Sequence, residues 1–212
     1  MSQPNQVNDL IVLVADKNME FAIKGILDNH QKLKIQPLPE MRRRILGGLQ
    51  DGGCFRRCDD FLRSFSGLYK YALVMLDREG SGQEGLSRVE IENHIEKRLA
   101  VTGWDDRAKA IVFDPELEIW VWSDSPQVDE VLGWVTRQPD LRNWLIENNW
   151  LKADETKPER PKEAVEAVLR EVKRSKSSSI YFALAQRVSF GRCTDPAFLK
   201  LKNQLREWFP QN

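Results

Sequence analysis

Histidine and cysteine are scarce in this chain of 212 residues: it has two of the first and three of the second. Cys54 and Cys58, four apart, supply two thiols where a structural zinc takes four ligands. With Cys193 they make an odd, low count, which does not form a secreted disulfide framework and reads as plain buried or loop thiols. His30 and His94 are the two imidazoles, and neither stands in a ligand pattern. Metal chemistry, where present, therefore falls to carboxylates. Net charge is also missing, since Lys plus Arg and Asp plus Glu number 32 each. No whole-protein field draws the chain to nucleic acid or lipid, so phosphate binding needs a local basic patch. No apolar run approaches bilayer length. The mostly polar stretch from Met1 to Asn8 lacks the basic start, apolar middle and cleavage site of a signal peptide. The expectation is a soluble cytoplasmic protein with no membrane partner.

What is present is a globular composition, with 41% hydrophobic and 30% charged residues. A chain of this length buries a sizeable core. Residues 9–15 carry the unbroken apolar run Leu10 to Val14, which suits a strand covered on both faces of a parallel sheet. Asn18 reads as a helix cap, with Met19, Ile23, Ile26 and Leu27 at helical spacing behind it. A short edge strand is expected over 34–38, limited by Pro37 and Pro39. A short helix is expected over 59–66. Strands over 71–76 and 108–113 flank a helix capped by Ser87. Residues 118–122 alternate and read as a further strand. The remainder reads as helices over 128–135, 141–148, 162–174, 180–188 and 196–209, and no internal repeat is visible. Alternating strands and helices predict an α/β fold with a mainly parallel sheet. We expect a core over 1–125 and a helical C-terminal extension over 126–212, packed on that core.

Sites in such sheets lie beyond the C-terminal ends of the strands, which singles out Asp16 and Asp77. Glu20 follows Asp16 by four residues, in the first helical turn. Glu79 follows Asp77 by two, and in extended chain such residues point the same way and can share a divalent cation. Hard oxygen ligands suit Mg²⁺ or Mn²⁺. Glu116, Glu118 and Asp124 form a second acidic group around Trp120 and Trp122, able to add ligands or simply to sit in water. The same acids also have plain readings: Glu20 favours the helix dipole by about 0.3–1 kcal/mol with no other role, and Glu79 fits a solvated turn. Arg42, Arg43 and Arg44, with Arg56 and Arg57, can meet phosphates or can be paired surface charges.

These residues resemble the Toprim fold of topoisomerases, primases and related nucleases. That fold places an acid after its first strand, where Asp16 stands, and an Asp-x-Asp pair after a later strand, where Asp77-Arg78-Glu79 stands. Over nearly the whole length the chain is similar to a Toprim-like family of unknown function, found in bacteria and often near anti-phage defence genes. That family's Glu-Gly-x-Thr-Glu turn corresponds to Asp16-Lys17-Asn18-Met19-Glu20. Its Glu-x-Trp and following Asp correspond to Glu118-Ile119-Trp120 and Asp124. Its late Pro-Lys corresponds to Pro161-Lys162, and its terminal helix to Cys193 through Trp208. The resemblance implies a Toprim/Rossmann-like sheet, Mg²⁺-dependent phosphodiester chemistry, and a nuclease role in defence alongside other defence-system proteins. It implies Asp77, Glu79 and Glu118 as metal ligands, with Asp16 and Glu20 as catalytic acids. Arg42 to Arg44 and Lys17 become candidates for nucleic-acid contact. Three departures stand out. Asp16 is one methylene shorter than Glu, Lys17 replaces a glycine, and Glu79 replaces Asp. The altered first turn also fits a non-catalytic subunit of a defence complex, and seven Trp with zero net charge fit a protein that docks on partners. A receiver-like signalling module shares acids at the ends of its first and third strands, but not the long insertion or the helical C-terminal third.

Overall fold

The computed structural model describes residues 7–123 and 125–211. Four strands form one sheet: β1 (Asn8–Val14), β2 (Arg43–Leu46), β3 (Tyr69–Asp77) and β4 (Ala108–Phe113). Their order is β2-β1-β3-β4, and every pairing is parallel. The expected α/β class with a parallel sheet is what the structure shows. The reason lies in β1 and β3. Leu10 through Val14 and Ala72 through Leu76 are fully buried, as central strands covered on both faces require.

Parallel neighbours need crossovers, and these are right-handed. From β1 the chain crosses to β2 through α1 (Lys17–Asp28). The short α2 (His30–Leu33) completes that first connection; the chain then reverses direction across the sheet to reach β3 through α3 (Gln50–Arg63) and continues to β4 through α4 (Arg88–Leu99). The reversal puts α1 on one face and α3 with α4 on the other. Ser87 caps α4 as expected, in a capping box with Glu90.

Four local expectations need correction. The second strand is Arg43–Leu46, not residues 34–38, where Ile35 makes an isolated bridge to Pro210. Pro37 and Pro39 lack the amide hydrogens a strand would donate, whereas Arg43 through Leu46 pair with Leu10 through Leu13. Helix α3 begins at Gln50, not at residue 59. Its glycines look like a loop, yet Cys54, Cys58 and Leu62 at i, i+4 and i+8 form its buried stripe. The α1 cap is Asp16, whose Oδ1 accepts from Met19 N at 2.8 Å, not Asn18. Finally, residues Leu117–Trp120 form a 3-10 turn, not a strand.

The chain then runs through α5 (Gln127–Leu132), α6 (Leu141–Glu147), α7 (Pro161–Glu171), α8 (Ser178–Arg187) and α9 (Pro196–Trp208). Helix α8 lies against α1 so closely that a Cβ on Gly25 would sit 2.7 Å from the Cβ of Ala185. Trp208 of α9 stacks on Tyr71 of β3 at 4.6 Å between ring centroids, and Phe198 stacks on Trp120 at 5.8 Å. One apolar core therefore spans the sheet and the C-terminal helices. No helix among the described residues is long and apolar enough to cross a membrane.

Candidate functional site

In a β2-β1-β3-β4 sheet the connections leave β1 and β3 in opposite directions, and the crevice beyond their C-terminal ends is the natural place for a ligand. Asp16 lies just past β1, and Asp77 is the last residue of β3. Asp16 is exposed and spends one oxygen capping α1. Asp77 Oδ1 accepts from Leu117 N at 2.8 Å, which ties the end of β3 to the 3-10 turn. The amide of Asp77 donates to Asp51 Oδ1, also at 2.8 Å. Asp51 stands in the first turn of α3, and the preceding Gln50 amide donates to Ala15 O at the end of β1. These bonds gather the ends of β1, β3 and α3.

Glu116 and Glu118 come from the segment after β4, and both are buried. Glu118 Oε1 accepts from the Tyr181 hydroxyl of α8 at 2.5 Å. Glu116 Oε1 accepts from Lys162 Nζ of α7 at 2.9 Å. Burial pushes the Asp77 carboxyl well above the usual carboxylate range. The charges of Asp51, Glu118, Glu116 and Asp16 push it further. Burial also raises Asp51, with Asp16 adding to it. Burial raises Glu118 against the opposing pull of the Tyr181 hydrogen bond. Burial draws Lys162 down, but Glu116, Glu118 and Asp77 outweigh it and hold the ammonium above its ordinary value. Burial and the Glu118 charge likewise raise the Tyr181 hydroxyl.

Other buried acids are matched differently. Glu92 meets Arg88, Lys200 and the Val112 amide, and Asp9 meets Arg42 and Lys70. At the strand ends five carboxylates, Asp16, Asp51, Asp77, Glu116 and Glu118, act on one another, and the ammonium set against them is that of Lys162. Like charges gathered in a partly buried space are costly unless a cation neutralises them.

The structure thus brings together Asp16, Asp77 and Glu118, joined by Glu116 of the expected second acidic group, and adds Asp51, Lys162 and Tyr181, which sequence reasoning did not place in the site. Only Lys162 left a trace there, as part of the Pro-Lys segment. Glu79 is exposed in the turn after β3, its amide bonded to Pro115 O. Glu20 pairs with Lys17 at 3.1 Å and flanks the end of β2, where a Cβ on Gly47 would lie 3.9 Å from its Oε2. Lys17 also sits over the Phe21 ring. Asp124 lies outside the described residues. The arginines of β2 point two ways, as its period of two requires. Arg43 pairs with Asp28 of α1, and Arg44 lies over Phe65, beyond the end of α3. Arg42 pairs with Asp9 at 2.9 Å.

The donor set of hard carboxylate oxygens fits Mg²⁺ or Mn²⁺ in kind. Each of Asp16, Asp51, Asp77, Glu116 and Glu118 commits one oxygen to an internal bond. Among the described residues, no three His, Cys, Asp or Glu side chains are grouped as a formed metal site. The three thiols are free and buried, and burial raises Cys58 to about 11, which suppresses the thiolate. No family model, no curated protein and no solved structure matches the chain.

Proposed function

We propose that the chain is a Toprim-like, Mg²⁺- or Mn²⁺-dependent phosphodiester-processing protein, a nuclease or nuclease-like component of a bacterial anti-phage defence system. The observation that carries this reading is the surplus of carboxylate over ammonium at the ends of β1 and β3. In it Asp77 is raised by burial and by four neighbouring acids. Asp77 and Glu118, with Glu79 at the rim, would hold the ion. A divalent cation held there would orient phosphate oxygens and activate water or a hydroxyl.

The chain's own groups have distinct tasks in this reading. Asp16, exposed at the mouth, takes the proton of the attacking hydroxyl on its uncommitted oxygen. Glu20 holds the Lys17 ammonium at the same rim. Tyr181 fixes the rotamer of Glu118 through its hydroxyl. Lys162 supplies positive charge from inside, where it balances Glu116 and faces Asp77 and Glu118.

The test is hydrolysis of end-labelled single- and double-stranded DNA and RNA with Mg²⁺ or Mn²⁺. The expected result is cleavage that Asp77→Asn lowers by about two orders of magnitude, the scale of a displaced catalytic group. Cleavage unchanged in that variant, or none by the folded wild type, defeats the enzyme reading.

A second reading is a non-catalytic subunit that works by binding partner proteins of the same defence system. It is favoured by the internal bond that each of the five carboxylates already makes. On that reading the wild type neither cleaves nor takes up divalent cations.

A further inference from the structure

The strand-end crevice is rimmed by residues without side chains. A Cβ on Gly47 would lie 3.9 Å from Glu20 Oε2, and one on Gly80 would lie 3.4 Å from Asp51 Oδ2. One on Gly82 would lie 3.8 Å from Arg56 Nη1. Gly80 and Gly82 both hold positive φ, +85° and +74°, so the turn after β3 is shaped around glycine. Such a rim lets an extended ligand pass close to the backbone.

The cations near this rim are mostly committed. Lys17 pairs with Glu20, Arg78 with Asp114 at 2.7 Å, and Lys162 with Glu116. Arg42 and Arg43 pair with Asp9 and Asp28, and Arg44 is held over Phe65. Arg56 differs. It is exposed on α3, just over one turn past Asp51, and its guanidinium lies between Gly52 and Gly82. A Cβ on Gly52 would stand 3.2 Å from its nitrogens, and one on Gly82 would stand 3.8 Å away. Among the described residues no carboxylate pairs with it. A guanidinium offers a planar fork of donors that matches phosphate oxygens.

We propose that Arg56 binds a phosphate next to the one that reaches the carboxylates, which makes the ligand of this site an oligonucleotide chain rather than a phosphomonoester or free nucleotide. This rests on the phosphodiester reading above and adds the residue and the ligand length. Asp51 of the carboxylate group reaches the rim at Gly80 and Arg56 reaches it at Gly82, so a chain lying along the glycine rim meets both.

The test is equilibrium binding by fluorescence anisotropy, with Ca²⁺ replacing Mg²⁺ to prevent turnover. The probes are labelled single- and double-stranded DNA and RNA oligonucleotides, with mononucleotide as competitor. The expected result is that at least one oligonucleotide binds and that Arg56→Gln weakens it about 5-fold. The same variant lowers the slope of log affinity against log salt by about 1, as loss of one phosphate contact requires. Arg56→Lys keeps most of the affinity, and Arg63→Gln, on the same helix and paired with Asp60, leaves it unchanged. Wild-type affinity and slope in Arg56→Gln overturn the proposal alone, as does a loss that falls on Arg44→Gln instead. Mononucleotide competing as well as oligonucleotide overturns it too. Failure of the wild type to bind any of the oligonucleotides removes the phosphodiester reading and this proposal together.

Discussion

Asp77 concentrates the physics of this protein in one side chain. Its side chain is half-buried, holds the Leu117 amide, and lies near four other acids. A carboxylate kept under such conditions destabilises the metal-free fold. The sign follows from proton counting. Below the ordinary values of 3.8 for Asp and 4.5 for Glu, folded and unfolded chains both hold the protons of Asp77, Asp51 and Glu118, and these groups contribute nothing to pH dependence. As pH rises through that range the unfolded chain releases them first, so these groups reduce stability until pH passes their raised folded values. Asp77→Asn keeps an oxygen for Leu117 and removes the charge. It is expected to stabilise the metal-free protein at pH 7 by about 0.5–2 kcal/mol, the scale of gains at sites strained for function, or about 2–4 °C in Tm per kcal/mol. Thermal unfolding in chelator from pH 4 to pH 8 checks this. The gain should shrink toward acid, and a variant less stable than wild type at pH 7 contradicts it. Asp16 and Asp77 were legible in the sequence because strand ends are legible. Asp51 was not, because it reaches Asp77 across 26 residues of chain from a helix whose glycines disguise it.

Elements explain what periodicity alone misjudged. Glu118 through Trp122 alternates like a strand, but the Leu117 amide is captured by Asp77 and the turn closes as a 3-10 helix, turning Glu118 inward to Tyr181. Strand β2 was hidden because its charged Arg43 and Arg44 suit an edge strand rather than an apolar run. Two substitutions probe the helices that support the site. Gly25→Ala would place its Cβ 2.7 Å from the Ala185 Cβ and 2.9 Å from the Phe182 carbonyl oxygen, so α1 and α8 must separate. A cost of about 1–3 kcal/mol is expected in denaturant unfolding, the range for overpacking. Wild-type stability would show that the two helices are not in contact as described. Tyr181→Phe removes the hydroxyl that Glu118 accepts from. An unmatched buried acceptor costs about 1–3 kcal/mol, read by the same unfolding experiment. A neutral outcome would mean that Glu118 finds another donor or is protonated.

At the scale of the whole molecule, the C-terminal helices are part of the site as well as of the core. Lys162 of α7 and Tyr181 of α8 meet acids supplied by the segment after β4. The core runs without interruption from β1 into α9. Unfolding should therefore be one cooperative transition, with calorimetric and van't Hoff enthalpies equal. Two separated transitions would show that the C-terminal helices form an independent unit. The sequence pattern carried the parallel α/β sheet, since buried strands and amphipathic helices announce themselves. It did not carry the convergence of α3, α7 and α8 on the strand ends, which depends on tertiary contacts between residues far apart in the chain.

The proposed function stands or falls on whether the gathered carboxylates hold a divalent cation. Calorimetric titration of Mg²⁺ and Mn²⁺ into wild type and into an Asp77→Asn, Glu118→Gln double variant tests this most directly. The expected result is saturable binding by wild type, with a thermal stabilisation of about 2.7 kcal/mol at one hundred times Kd, and the loss of both in the variant. Absence of binding by the folded wild type, or equal binding by the variant, contradicts it.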